Sequence, residues 1–111
     1  MSFRHAFNGL KILVEEEHNA RIHVFVTVCV LIAGRLFGIS RNEWIALILC
    51  VGMVIALEMI NSAVEHMADF VSPEKHPRIK KIKDLAAGAV LVGAVVAATV
   101  GIIVFFPKIV R

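Results

Sequence analysis

"WIALILCVGMVIALEMINSAVEHMADF", residues 44–70, opens on a tryptophan, runs apolar from Ile45 to Leu57, and then carries Glu58, Asn61, Ser62, Glu65 and Asp69. The apolar run predicts a membrane-spanning helix, with Trp44 as its aromatic anchor at the surface. Glu58 follows Trp44 by 14 residues, which is about 21 Å of helix at about 1.5 Å per residue, short of a hydrocarbon core about 30 Å thick. The carboxylate is therefore expected at the inner edge of the membrane. At 100° per residue, the five polar residues fall within an arc of about 100°. Met59, Ile60, Ala63, Val64, Met67, Phe70 and Val71 take the rest of the circumference. A charge deep in a bilayer costs roughly 2.5–3.5 kcal/mol on insertion scales, so such a stripe normally faces protein or water and has a task.

The rest of the chain reads as membrane protein. Of 111 residues 59% are hydrophobic, with a mean hydropathy of +0.82, too apolar for a soluble domain of this size. The formal charge of +3 does not point to nucleic acid, because the basic residues flank apolar runs instead of lining one face. Cys29 and Cys50 sit in apolar stretches without a CxxC or a Cys/His cluster and read as packing residues. No short apolar core with a cleavage site stands at the N-terminus, so the whole chain is expected in the mature protein, as a single domain over 1–111.

Phe3, Ala6, Phe7, Leu10, Leu13 and Val14 share one helical face, which predicts an amphipathic helix over 3–16, lying on the membrane surface or packed on protein. Spans follow at about 22–39, 44–66 and 83–106, separated by a GISRN turn (38–42) and by SPEKHP (72–77), whose prolines break the helix. Pro107 is expected to close the last span. Ala89, Gly93, Ala97 and Gly101 form a small-residue ladder suited to close helix packing. Eight Lys and Arg residues belong to the N-terminal arm and the SPEKHP loop, against four on the other side, which places the N-terminus in the cytoplasm. The fold class is thus all-α, a three-span membrane bundle with an N-terminal surface helix.

Glu65 and Asn61 offer oxygens one turn apart, the donor type that Mg²⁺ takes together with substrate phosphates. The Glu15–Glu17 run ends the first helix at the same face and can add a ligand, while Lys80, Lys81 and Lys83 beside Asp84 bring charge suited to phosphate. A metal, lysines and a partly buried carboxylate to take a proton are the parts of phosphoryl transfer. The plainer reading of Asp69, Glu74 and the lysines is solvated ion pairs worth under about 1 kcal/mol each. Glu58 is too deep for that reading. His18, His23 and His66 read as helix-surface or headgroup residues, and the absence of GxxxxGK[ST] excludes a P-loop.

Four motifs in order, E-x-N-x-R-x-H at Glu17, Asn19, Arg21 and His23, E-x-x-N-S-x-x-E at Glu58, Asn61, Ser62 and Glu65, SPEKHP at 72–77, and K-D-x-A-A-G-A at 83–89, resemble the prokaryotic diacylglycerol kinase and undecaprenol kinase family. The resemblance covers nearly the whole chain. It implies a homotrimer in the bacterial inner membrane, with active sites shared between subunits, transferring the γ-phosphoryl of ATP to a lipid hydroxyl. Carried over by motif position, Glu58 resembles the general base at the lipid hydroxyl and Glu17 and Glu65 resemble the ligands of Mg²⁺. Glu17, Asn61, Glu65, Glu74, His76, Lys83 and Asp84 fall on nucleotide-binding positions, and Arg21 falls near the lipid. Gram-negative diacylglycerol kinases carry an arginine ahead of the surface helix, near the nucleotide, for which Arg4 is a candidate substitute. Ser-Pro-Glu at 72–74 is similar to the Gram-positive type, which favours undecaprenol over diacylglycerol. The rival class, a proton-coupled small transporter, needs carboxylates near the midplane and a path to the far face. Here the acidic residues gather at one end.

Overall fold

The structure, a computed structural model, describes residues 2–110. It contains α1 (Phe3–Glu16), α2 (His18–Phe37), α3 (Arg41–Val71) and α4 (Pro77–Ile109), with no strand among the described residues. The last three are long and apolar enough to cross a membrane, so the expected all-α, three-span architecture is the one observed.

A single extended residue, Glu17 (φ −108°, ψ 110°), separates α1 from α2. Its N–H donates to the Leu13 carbonyl at 3.0 Å. Arg21 reaches back from α2, donating from Nε to the Val14 carbonyl at 2.7 Å and from Nη2 to the Glu15 carbonyl. These carbonyls belong to the last turn of α1, which has no helical partners of its own to offer them. On α1, Leu13 is buried while Phe3 and Phe7 remain exposed. Of the two expected placements, packing on protein is the one observed, through Leu13, and the phenyl rings of Phe3 and Phe7 stay uncovered within the chain.

α2 starts four residues before the expected boundary and stops at Phe37, because Gly38 adopts a left-handed conformation (φ 62°). The Ile39 N–H then donates to the Gly34 carbonyl at 3.2 Å, satisfying an orphan acceptor. The turn is shorter than the expected GISRN: Ser40 already caps α3. Its hydroxyl accepts from the Glu43 N–H at 3.2 Å, and the Glu43 carboxylate accepts from the Ser40 N–H at 2.8 Å. This capping box makes Arg41 and Asn42 helical.

The helices α3 and α4 pack side by side in opposite directions. Lys108 Nζ meets the Glu43 carboxylate at 2.8 Å at one end, and Lys83 Nζ donates to Asp69 Oδ1 at the other. α4 begins six residues earlier than expected, with Pro77 in its first turn and the His76 ring accepting from the Arg78 N–H at 3.1 Å. The helix also continues through Pro107, where termination was expected. So near the end, the ring forfeits only one backbone bond, and Lys108 Nζ and the Val110 N–H bond to the Val104 and Phe106 carbonyls. Ile39, Leu47 and Val104 form the buried cluster at this end, joined by Trp44. Trp44, expected as an anchor, is thus seen as a packing residue.

Two glycines mark close approaches. A Cβ on Gly34 would lie 2.8–3.0 Å from the Trp44 ring and Ile39, and one on Gly93 would lie 2.6 Å from Leu57 Cδ1. Gly101 of the expected ladder faces open space, so only part of the ladder serves packing within the chain. Alanine in a helix interior is favoured over glycine by roughly 0.5–1 kcal/mol, while overpacking costs about 1–3 kcal/mol. The rigid indole cannot yield, whereas the end of Leu57 can rotate. Gly34→Ala is therefore expected to lower stability, and Gly93→Ala to leave it unchanged or slightly higher, in detergent-titrated unfolding in mixed micelles. Equal losses would contradict the packing described.

The chain is open for its length. Its radius of gyration is 16.5 Å, against about 13 Å for a compact chain of this size. Only 11% of the most apolar window of α2 and of α4 is buried, leaving broad apolar faces for lipid or further copies.

Candidate functional site

The α3 stripe meets a different element at each step. Glu58, 5% exposed, lies 3.0 Å from His23 Nε2 of α2. One turn on, Ser62 is buried and its hydroxyl donates to Glu17 Oε1 at 3.0 Å. Asp69 reaches α4 by accepting from Lys83. Glu17 stands at this place because the one-residue break between α1 and α2 turns it toward α3, and Arg21 holds that break shut. Arg21 is thus engaged by main-chain carbonyls within its own chain.

Between Glu58 and Glu65 lies Asn61, whose Oδ1 is buried without a hydrogen-bond partner. An orphaned buried acceptor costs about 1–3 kcal/mol and calls for a ligand or cation to complete it. Glu65 is half-buried on the next turn. Of the acidic run, only Glu17 joins the stripe: Glu16 lies 3.7 Å from His66 at the surface, and Glu15 lies 3.9 Å from Lys11.

Beside the stripe, the 72–76 loop and the start of α4 enclose a cleft of about 580 Å³ lined by Asp69, Glu74, His76, Lys80, Lys83 and Asp84, among others. The four loop and α4 residues singled out in the sequence, Glu74, His76, Lys83 and Asp84, thus share one cavity. Lys80 and Asp84 pair at 2.6 Å with both side chains more than 60% exposed, a solvated bridge worth little by itself. Lys83 is half-buried and bound to Asp69, which fixes its ammonium at the cleft wall facing α3. The site therefore has two parts: a polar cleft open to water, holding lysines and a histidine, and the buried Glu58 carboxylate held against His23. Asn61, Ser62 and Glu65 occupy the helix between them. Among the described residues, no three His, Cys, Asp or Glu side chains converge as a self-sufficient metal cage.

His23 is the site residue whose part the sequence reading missed. Read as a headgroup residue, it is instead turned inward against Glu58. The signal was there: Glu17, Ala20, His23, Thr27, Val30 and Gly34 recur at three- and four-residue spacing and, with Ala33, are the buried or half-buried positions of α2 and its cap.

Comparison with known proteins finds lipid kinases. The family model described as prokaryotic diacylglycerol kinase matches residues 4–105. An undecaprenol kinase of Bacillus subtilis is 39% identical over 108 residues, covering 97% of this chain and 88% of the relative. A diacylglycerol kinase of Synechocystis sp. is 34% identical over 110 residues, 98% of this chain and 63% of the relative. A diacylglycerol kinase of Haemophilus influenzae is 34% identical over 107 residues, 95% of this chain and 90% of the relative.

Proposed function

This chain belongs to the prokaryotic diacylglycerol kinase family, and from that premise we propose that it transfers the γ-phosphoryl group of ATP to a lipid hydroxyl at the cytoplasmic edge of the bacterial inner membrane. Undecaprenol is the favoured lipid, giving undecaprenyl phosphate, because the 39%-identical relative is an undecaprenol kinase. Diacylglycerol, giving phosphatidic acid, is the alternative, on the strength of the other relatives.

The observation that carries the proposal is a buried carboxylate, Glu58, on the same apolar helix whose last turn, at Asp69, forms a wall of a polar cleft lined with lysines. Glu58 serves as general base: it takes the proton of the lipid hydroxyl while that oxygen attacks the γ-phosphorus and the bond to ADP breaks. Glu74, His76, Lys83 and Asp84 bind the nucleotide from the cleft, with Lys83 positioned for phosphate charge. Arg4 extends this set only if α1 approaches the nucleotide.

Glu17, Glu65 and Asn61 Oδ1 are the oxygen donors suited to Mg²⁺, and the orphaned Asn61 oxygen supports that assignment. Bound there, Mg²⁺ would neutralise phosphate charge, and two carboxylates suffice for it when phosphates and water supply the remaining ligands. Arg21, whose motif position falls near the lipid, also holds the α1–α2 break that aims Glu17. The uncovered apolar faces of α2 and α4 support association, which we read as a homotrimer with shared active sites, and the Lys and Arg residues of the N-terminal arm and the SPEKHP loop favour a cytoplasmic N-terminus.

The test offers undecaprenol and diacylglycerol in separate reactions to the purified chain in lipid–detergent micelles, with Mg²⁺ and γ-labelled ATP. The expected result is label in undecaprenyl phosphate at the higher kcat/KM. Label in phosphatidic acid alone would move the substrate to diacylglycerol. Label in neither, from folded protein, would remove the kinase reading and leave the proton-coupled carrier as the next idea.

A further inference from the structure

Glu58 has a neighbour that the proposed reaction has not used. His23 Nε2 approaches Glu58 Oε1 to 3.0 Å, with the Glu58 side chain 7% and the His23 side chain 29% exposed. At that separation two lone pairs would repel, so the contact carries an imidazole proton. The backbone behind His23 is itself held, since Thr27 Oγ1 donates to the His23 carbonyl at 2.7 Å.

We propose that His23 is a positioning residue for Glu58, its imidazole N–H gripping one carboxylate oxygen so that the other faces the lipid hydroxyl. The inference rests on the reading of Glu58 as general base. A base in a buried pocket needs two things that conflict: a fixed orientation, and enough basicity to accept a proton. A lysine or arginine partner gives the first and removes the second, because a fixed positive charge favours the ionised carboxylate. A neutral imidazole supplies the hydrogen bond without a permanent charge, and its ring is stiff enough to fix the direction of the carboxylate. The second oxygen stays available to the lipid.

The test compares wild type with His23→Phe, His23→Gln, Glu58→Gln and the double variant His23→Phe/Glu58→Gln, with kcat and both KM values measured in micelles. Gln carries an N–H at nearly the reach of Nε2, and Phe keeps the ring and loses the donor. Loss of an orienting hydrogen bond typically costs about 10–100-fold, so His23→Phe is expected to lower kcat by that factor with KM for MgATP within about twofold. His23→Gln is expected to recover most of the loss. The double variant should be no slower than Glu58→Gln alone, because the two residues act as a unit.

Wild-type kcat in His23→Phe, or a His23→Gln as slow as His23→Phe, overturns the positioning role while leaving Glu58 in place. Normal turnover in Glu58→Gln removes the base itself, which is a separate failure. Should His23→Phe not fold, ¹⁵N-histidine labelling decides: the His23 Nε2 resonance is expected to shift in Glu58→Gln, and an unshifted resonance overturns the contact.

Discussion

Glu58→Gln is expected to lower turnover by about 10²–10⁴-fold, the usual worth of a positioned general base, while leaving MgATP affinity within a factor of about two. Glutamine has nearly the shape of glutamate and can still meet His23, so geometry is preserved and only the capacity to accept a proton is lost. In barrier terms the loss is about 3–5 kcal/mol at about 1.4 kcal/mol per decade. Nucleotide affinity should survive because Glu74, His76, Lys83 and Asp84 line a cleft that Glu58 does not enter. Stability should not fall either: a neutral amide replaces a carboxylate that is 5% exposed, and removing a buried charge relieves its desolvation cost. Steady-state kinetics, nucleotide titration and unfolding of the same preparation measure all three. A variant that loses MgATP binding would take Glu58 out of the base role and into nucleotide recognition.

Glu65→Gln should act on Mg²⁺ instead. Its carboxylate, the orphaned Asn61 oxygen and the Glu17 carboxylate held by Ser62 lie on successive turns of one helix or against it. An amide keeps one oxygen and loses the negative charge, which is what a hard cation weighs most. Outer-shell changes already cost roughly 10–100-fold in metal affinity, so removing a ligand charge should shift the Mg²⁺ dependence to higher concentration by at least about that factor. kcat at saturating Mg²⁺ should suffer less than in Glu58→Gln. The readout is activity against free Mg²⁺ at fixed ATP. An unchanged Mg²⁺ curve would exclude Glu65 as a ligand.

Much of this molecule could be read before any coordinates, for definite reasons. Long apolar runs identify spans because lipid leaves no other backbone solution than the helix. The α3 stripe was legible because Glu58, Asn61, Ser62, Glu65 and Asp69 repeat at helical spacing at the end of a long apolar run. The bounds of α1 were equally plain, given by its amphipathic face. What escaped was mostly the fine chemistry of the ends. Ser40 and Glu43 form a capping box with a recognisable spacing, yet GISRN was read only as turn residues. Pro107 looked like a stop, but a proline in the final turn breaks one hydrogen bond at most, and Lys108 takes up a neighbouring carbonyl.

Pairings between helices were harder, since they depend on the relative rotation of two helices and not on either alone. His23 has no local mark that distinguishes a headgroup residue from a partner for Glu58; only the spacing it shares with Ala20, Thr27 and Gly34 points inward. Arg21 is a similar case. Its guanidinium lies on the Val14 and Glu15 carbonyls because Glu17 breaks the helix, and nothing in the order of residues announces that break. The packing of Trp44 on Gly34 required knowing that Gly38 turns the chain back at that point.

One measurement separates phosphoryl transfer to lipid from every rival: ADP, lipid phosphate and inorganic phosphate counted in the same reaction of purified protein, γ-labelled ATP, Mg²⁺ and undecaprenol. The expected result is one undecaprenyl phosphate for each ADP, with both products suppressed together in Glu58→Gln. ADP matched by inorganic phosphate, or lipid phosphate formed at the wild-type rate without the Glu58 carboxylate, would contradict a lipid kinase built on that buried base.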